Sequence, residues 1–368
     1  FNQNRVQYSF PLQMASNYEA YNYYGIWNNV DQAPTLVDNL DYNCGTRTYP
    51  GHEGTDFFIG PFPWQMMENE SVEIVAAADG MIVYKEDLGI PDNCLVNHDA
   101  WNAIHVLQLD NSIAMYGHIK QNSLTDKEEG EFISAGEYLG IVGSSGTSPS
   151  PHLHLVFYAD EFDNLIDPYS GECNFLNDES RWIEQTEHWQ PAIFRIVTHD
   201  EHPIIHNECD YDQNINERND FTPGETVLIY AYYRDMLPGQ VSEWRTYSPD
   251  GQEVGYWEAH IGNYIDDECY WQDCYLNDYV FVPNDPSSIG TWLVQIEHEG
   301  EVYEHTFNVQ YPSLGDMNND GSFNVLDIVL MANMVLEDRH TEYADVPTAG
   351  FLNILDIVIT VPLVMYGH

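Results

Sequence analysis

Between residues 50 and 160, short β-branched and aromatic runs alternate with Asp-Gly, Asp-Asn and Gly turns. This rhythm suits hairpins and leaves little room for helical periodicity. Runs at 72–78, 103–109 and 138–142 meet turns at Asp79-Gly80, Asp110-Asn111 and Gly143, which predicts a mainly antiparallel β unit. Residues 192–311 continue the β character, with strands expected at 227–233, 242–247, 279–282, 291–298 and 302–309. Pro223-Gly224, Pro249-Asp250-Gly251 and Glu299-Gly300 supply turns at a spacing typical of an immunoglobulin-like β-sandwich. Tyr311-Pro312 closes that unit, and the remainder turns helical and repetitive. The expected division is therefore 1–190, 191–312 and 313–368, in keeping with a 368-residue chain too long for one ordinary core.

Charge narrows the functional classes. Sixty acidic residues against 11 basic ones give a formal net charge of −49, a surface that repels nucleic-acid phosphates and anionic lipids. No apolar run approaches the ~20 residues of a membrane span; the stretch 357–365 is broken by Thr360 and Pro362. The chain opens at Phe1 without a charged-then-apolar leader, as a processed, secreted protein would. Six cysteines lack paired CxxC spacing, which favours disulfides over thiolate metal sites. The expected pairs are Cys44 with Cys94, Cys269 with Cys274 and Cys173 with Cys209.

Four segments of the first unit carry chemistry. His52-Glu53-Gly54-Thr55-Asp56 sets an imidazole and a carboxylate four residues apart, and Tyr116-Gly117-His118 ends a predicted strand. His152-Leu153-His154 puts two imidazoles on one face of a strand, because side chains repeat every two residues. The glycine-rich 140–147 precedes it. Two imidazole nitrogens, one carboxylate oxygen and an open fourth position suit a catalytic zinc ion. Each signal alone is weak: His206 and Asp210 form a second His-x-x-x-Asp match. His98 and His105 read as structural, and the cluster of His199, His202 and His206 with Asp200, Glu201 and Asp210 as a solvated connection.

In order and spacing these segments, with 75–80 and 135–140, closely resemble the lysostaphin-type zinc endopeptidases over residues 50–160. The resemblance implies an antiparallel β peptidase fold in which His52, Asp56 and His154 bind zinc and His118 and His152 are the catalytic pair. One of that pair would deprotonate or orient water and the other would hydrogen-bond the oxyanion; the sequence leaves the assignment open. No His-Glu-x-x-His helix offers a glutamate base. The implied substrate is peptide, foremost the cross-bridges of peptidoglycan, with glycine-rich extracellular proteins second. The alternative from another class is an extracellular structural or adhesive protein that uses the peptidase fold as a building block.

The last stretch is duplicated: residues 315–329 recur 29 residues later at 344–358, and both copies end in Leu-Asp-Ile-Val. In the first copy Asp316, Asn318, Asp320, Ser322, Asn324 and Asp327 occupy calcium-loop positions, Ser322 through its carbonyl. The module resembles dockerins, a resemblance that implies Ca2+ and a cohesin-like or surface-assembly partner. The second copy has Pro347 and Ala349 at two ligand positions, so its calcium site is weakened or lost, and its helix packs against the first.

Overall fold

A computed structural model describes residues 5–35, 37–87, 92–94, 100–159, 164–204, 215–265, 267–271, 274–311, 315–317, 324–337, 353–354, 356–359 and 361. Its regular structure is mainly antiparallel β. Among the described residues, the first sheet runs Tyr24–Asn28, Thr55–Ile59, His152–Ala159, Ile113–Gly117, Ala103–Gln108, Gly80–Glu86 and Phe132–Ile133. Leu12–Met14, Val72–Val75 and Tyr138–Ile141 make a smaller sheet. Alternation along the central strands sorts their side chains. Phe57, Ile59, Leu153, Leu155 and Phe157 enter one core, which leaves Asp56, His152 and His154 for the opposite face.

Two more sheets follow. Ala192–His199 pairs with Thr226–Arg234, and that strand pairs with Tyr275–Phe281. The second sheet orders Asp220–Phe221, Glu301–Val309, Gly290–His298, Val241–Tyr247 and Glu253–His260. Residues of both sheets, including Ile196, Ile229, Tyr233, Trp244, Trp292 and Phe307, share a separate core. A third cluster joins the halves, with Trp27, Phe58 and Phe62 packed on Phe194, Val197, Tyr230 and Tyr232. Burying large aromatic rings from both sides makes this junction a packed one.

In the last stretch a helix spans Val325–Leu336. Asn324 caps it by accepting from the Leu326 amide at 2.8 Å, while Asp327 accepts from the Asn324 amide at 2.8 Å. This reciprocal arrangement satisfies two otherwise orphaned donors. The fully buried Asp327 also accepts from the Met317 amide at 2.8 Å. Of the expected calcium ligands, Asp316, Asn324 and Asp327 are described, whereas Asn318, Asp320 and Ser322 lie outside the described residues. No helix among the described residues is long and apolar enough to cross a membrane.

Several expectations need correction. Cys44 pairs with Cys173, which overturns its expected bond to Cys94 and that of Cys173 to Cys209. Cys94 is itself disulfide-bonded, and Cys209 lies outside the described residues. Cys269 pairs with Cys274 as expected. His199 is not solvated: it ends a strand, fully buried, with its ring 5.0 Å from Tyr230. His98, His206 and Asp210 lie outside the described residues. The strand expected at 279–282 begins earlier, at Tyr275, and the run at 72–78 stops at Val75.

Candidate active site

Strand register assembles the site. Asn28 pairs with Asp56, Asp56 with His154, and His154 with Gly117, so one row crosses four strands. Directly opposed residues on one face bring their side chains together. His154 Nδ1 lies 2.7 Å from Asp56 Oδ1 and 3.3 Å from His52 Nε2. His52 Nε2 is 3.2 Å from the other Asp56 oxygen, which also accepts from Asn28 Nδ2 at 2.9 Å.

These donors suit a divalent ion. The ligand atoms of His52, Asp56 and His154 lie within 4.8 Å of one another, with His52 and Asp56 buried. His52 Nδ1 donates to the Asn29 carbonyl at 2.8 Å, which leaves Nε2 unprotonated toward the other two donors, the tautomer a ligand needs. Burial alone would raise the Asp56 carboxyl, yet the imidazoles of His52 and His154 hold it well below the usual carboxylate range. Burial would lower His52, but Asp56 outweighs it and raises that imidazole. Two nitrogens and one carboxylate oxygen are a donor set of the zinc type, with room for a further ligand.

His118 and His152 stand beside this set, their rings 4.5 Å apart. His118 Nδ1 donates to the Ser145 carbonyl at 2.7 Å, and His152 Nδ1 to that of Ser150 at 2.8 Å. Carbonyls only accept, so each ring keeps an unprotonated Nε2. Burial lowers both groups; His152 and His154 push His118 down further, while Asp56 partly opposes the shift at His152. Both are thus neutral imidazoles able to accept a proton. His118 adopts a left-handed backbone, φ 61°, a conformation held by its surroundings and frequent at functional sites.

Sequence reasoning missed the rest of the cleft. Trp101 lies 4.9 Å from the His118 ring and 5.8 Å from that of His154. Gly117 makes its place, since a Cβ there would fall 2.1 Å from Trp101 Cζ3. Gly54 does the same for His154, whose Cε1 would sit 2.8 Å from an added Cβ. Trp27 lies 5.1 Å from His152. Asp56, His118, His152 and His154 open into a cleft of about 970 Å³ that Trp27, Trp101, Tyr270 and Trp271 also line. His105 sits away from it, beside Tyr84.

None of the curated proteins is significantly similar to the chain. Among solved structures it is similar to a lytM structure from Ruminococcus gnavus, at 24% identity over 44% of this chain and 57% of that one, TM-score 0.28. It is also similar to the catalytic domain of the antimicrobial peptidase lysostaphin from Staphylococcus simulans (21% identity, 42% and 96% covered, TM-score 0.24). A zinc-containing peptidase from Vibrio cholerae matches at 17% identity over 44% of this chain and 39% of that one, TM-score 0.27. The chain thus spans less than two thirds of the Ruminococcus gnavus and Vibrio cholerae relatives. The model of peptidase family M23 matches residues 51–168, the span that contains His52, Asp56, His118, His152 and His154. Residues 51–168 therefore carry a peptidase family M23 domain.

Proposed function

We propose that this chain is a secreted zinc endopeptidase that hydrolyses peptide bonds, with the cross-bridges of peptidoglycan as its favoured substrate. The observation that carries the reading is the meeting of three separate segments at one site, where His52 joins Asp56 and His154 and these two open with His118 and His152 into one cleft. His52, Asp56 and His154 would hold the metal, which when bound supplies Lewis-acid polarisation of the scissile carbonyl and acidifies water. His118 and His152 do the proton work. The unprotonated Nε2 of one takes the proton of the attacking water, and the resulting imidazolium gives it to the leaving amine. The other ring orients water and stabilises the oxyanion. Their Nδ1 hydrogen bonds to Ser145 and Ser150 fix both rings for these tasks.

The remaining parts belong to the same proposal. Residues 191–312 serve as an immunoglobulin-like domain and 313–368 as a dockerin-like module. Calcium in the loop of Asp316, Asn318, Asp320, Ser322, Asn324 and Asp327 would support attachment to a cohesin-like or surface-assembly partner, a reading that rests on ligand spacing.

The test is mass spectrometry of fragments from purified peptidoglycan treated with the zinc-loaded chain, with chelator, and with zinc added back. New amino termini are expected from the wild-type protein and not from His152→Ala, with a loss of about 100-fold or more. Zinc-loaded protein that releases no fragments would overturn the enzyme reading in favour of a non-catalytic extracellular module.

A further inference from the structure

The cleft is not built by the first sheet alone. Tyr270 and Trp271 come from the loop closed by the Cys269–Cys274 disulfide, which spans a sequence separation of 5. Paired backbone hydrogen bonds between Cys269 and Met236, 2.8 and 2.9 Å long, tie this loop to the second half of the chain. The two rings stack on one another with centroids 5.2 Å apart. From the other side Arg47 lays its guanidinium 4.9 Å from the Tyr270 ring and 4.5 Å from that of Trp189, while it binds the buried Asp235 at 2.7 Å. Tyr270 is therefore held from two sides, by its disulfide-bonded neighbour Cys269 and by a cation between aromatic faces.

Trp271 remains 45% exposed despite its size. Its ring is 5.8 Å from Trp27, and Trp27 is 5.1 Å from His152. A row of rings thus runs from the half-exposed Trp271 through the largely buried Trp27 to a ring of the candidate catalytic pair. We propose that Tyr270 and Trp271 form a substrate subsite that binds an uncharged apolar side chain of a peptide beside the cleaved bond; this rests on the peptidase reading above. Charge argues for the same occupant. Among the described residues lining the cleft there is no lysine or arginine, and its acid, Asp56, is engaged by His52 and His154. An acidic side chain would meet a protein of formal net charge −49 with no lysine or arginine beside it in the cleft. An aliphatic or aromatic one gains by covering the indole face.

The test uses the full 368-residue chain and blocked hexapeptides that differ at one position, Leu, Phe, Gly or Glu. The wild-type protein is expected to prefer Leu and Phe. Trp271→Ala should raise KM for those two by about tenfold, with kcat within about twofold, and erase their advantage over Gly. Trp271→Phe should restore most of it, and equal melting temperatures would show that all three proteins are folded. An unchanged KM in Trp271→Ala, or Glu as the best residue, would overturn the subsite. Calorimetric binding of the same peptides separates the two readings. If the zinc-loaded wild type binds the peptides but releases no fragments from peptidoglycan and cleaves none of the hexapeptides, the peptidase reading fails while the subsite stands. If Trp271→Ala binds Leu and Phe peptides as tightly as wild type, the subsite alone fails.

Discussion

Arg47 and Asp235 face each other at 2.7 Å across the two halves of the chain, each side chain only 2% exposed. Asp235 also accepts from the Gln190 amide at 2.7 Å. Arg47 reaches the metal candidates through its own backbone, because its carbonyl accepts from the Asn29 amide at 2.8 Å and the Asn29 carbonyl accepts from His52 Nδ1. One buried ion pair therefore sits behind both the first histidine of the site and the Tyr270 loop.

Removing one partner should cost far more than removing both charges. Arg47→Met leaves a buried carboxylate uncompensated, a loss of about 3–5 kcal/mol. Asp235 has a left-handed backbone, φ 52°, which asparagine tolerates. The double variant Arg47→Met, Asp235→Asn should recover part of the loss. Urea unfolding of the two single variants and the double variant reads the coupling; additive losses would contradict it.

Metal loading should stabilise the fold. Free zinc at about a thousand times its Kd adds about 4 kcal/mol by mass action, so the melting temperature of chelator-treated protein should climb with added zinc. His154→Ala should lose most of that climb. Gly54→Ala should weaken it without removing a ligand, since the new methyl presses on His154.

Gly117→Ala should cost about 1–3 kcal/mol by overpacking. The added Cβ overlaps Trp101 Cζ3, so the indole must leave the His118 ring. A lower urea midpoint with altered tryptophan emission checks this; an unchanged midpoint would show that the strand yields instead.

Acid should unfold the second pair of sheets through histidines kept neutral. Burial pushes His298 and His305 down to about 4, while in the unfolded chain they protonate near 6.5. A depressed folded pKa gives stability that is present above 6.5 and lost as pH falls toward 4, about 3 kcal/mol for His298. Asp167 acts in the opposite direction. Burial raises it to about 7, so its contribution is present below pH 4 and lost as pH rises to 7. Thermal melts of His298→Asn and Asp167→Asn between pH 4 and 8 should therefore tilt the stability profile in opposite senses.

The antiparallel character and the convergence of the five candidate residues were readable because they depend on period-two alternation and on residue chemistry at fixed spacing. What surrounds them was not. Trp27, Trp101 and Trp271 reach the cleft from separate segments, and nothing local in their sequence marks them as neighbours of histidines. The strand Glu253–His260 was missed because its sequence is mixed and it lies at a sheet edge, mostly exposed. The cysteine pairing failed because Cys44 and Cys173 are 129 residues apart and only the fold sets their distance. His199 looked solvated among acids, yet its strand turns it inward against Tyr230 and Tyr232.

The strand that offers Asp56 to the cleft sends the neighbouring Phe58 into the aromatic cluster with Phe194 and Tyr232. Cutting the chain near residue 190 would strip the cover from Trp27, Phe58 and Phe62. A fragment made that way would carry a sticky wet patch alongside its histidines and tend to self-associate. Solubility trials on a shortened protein would then report on a raw edge rather than on the peptidase unit itself.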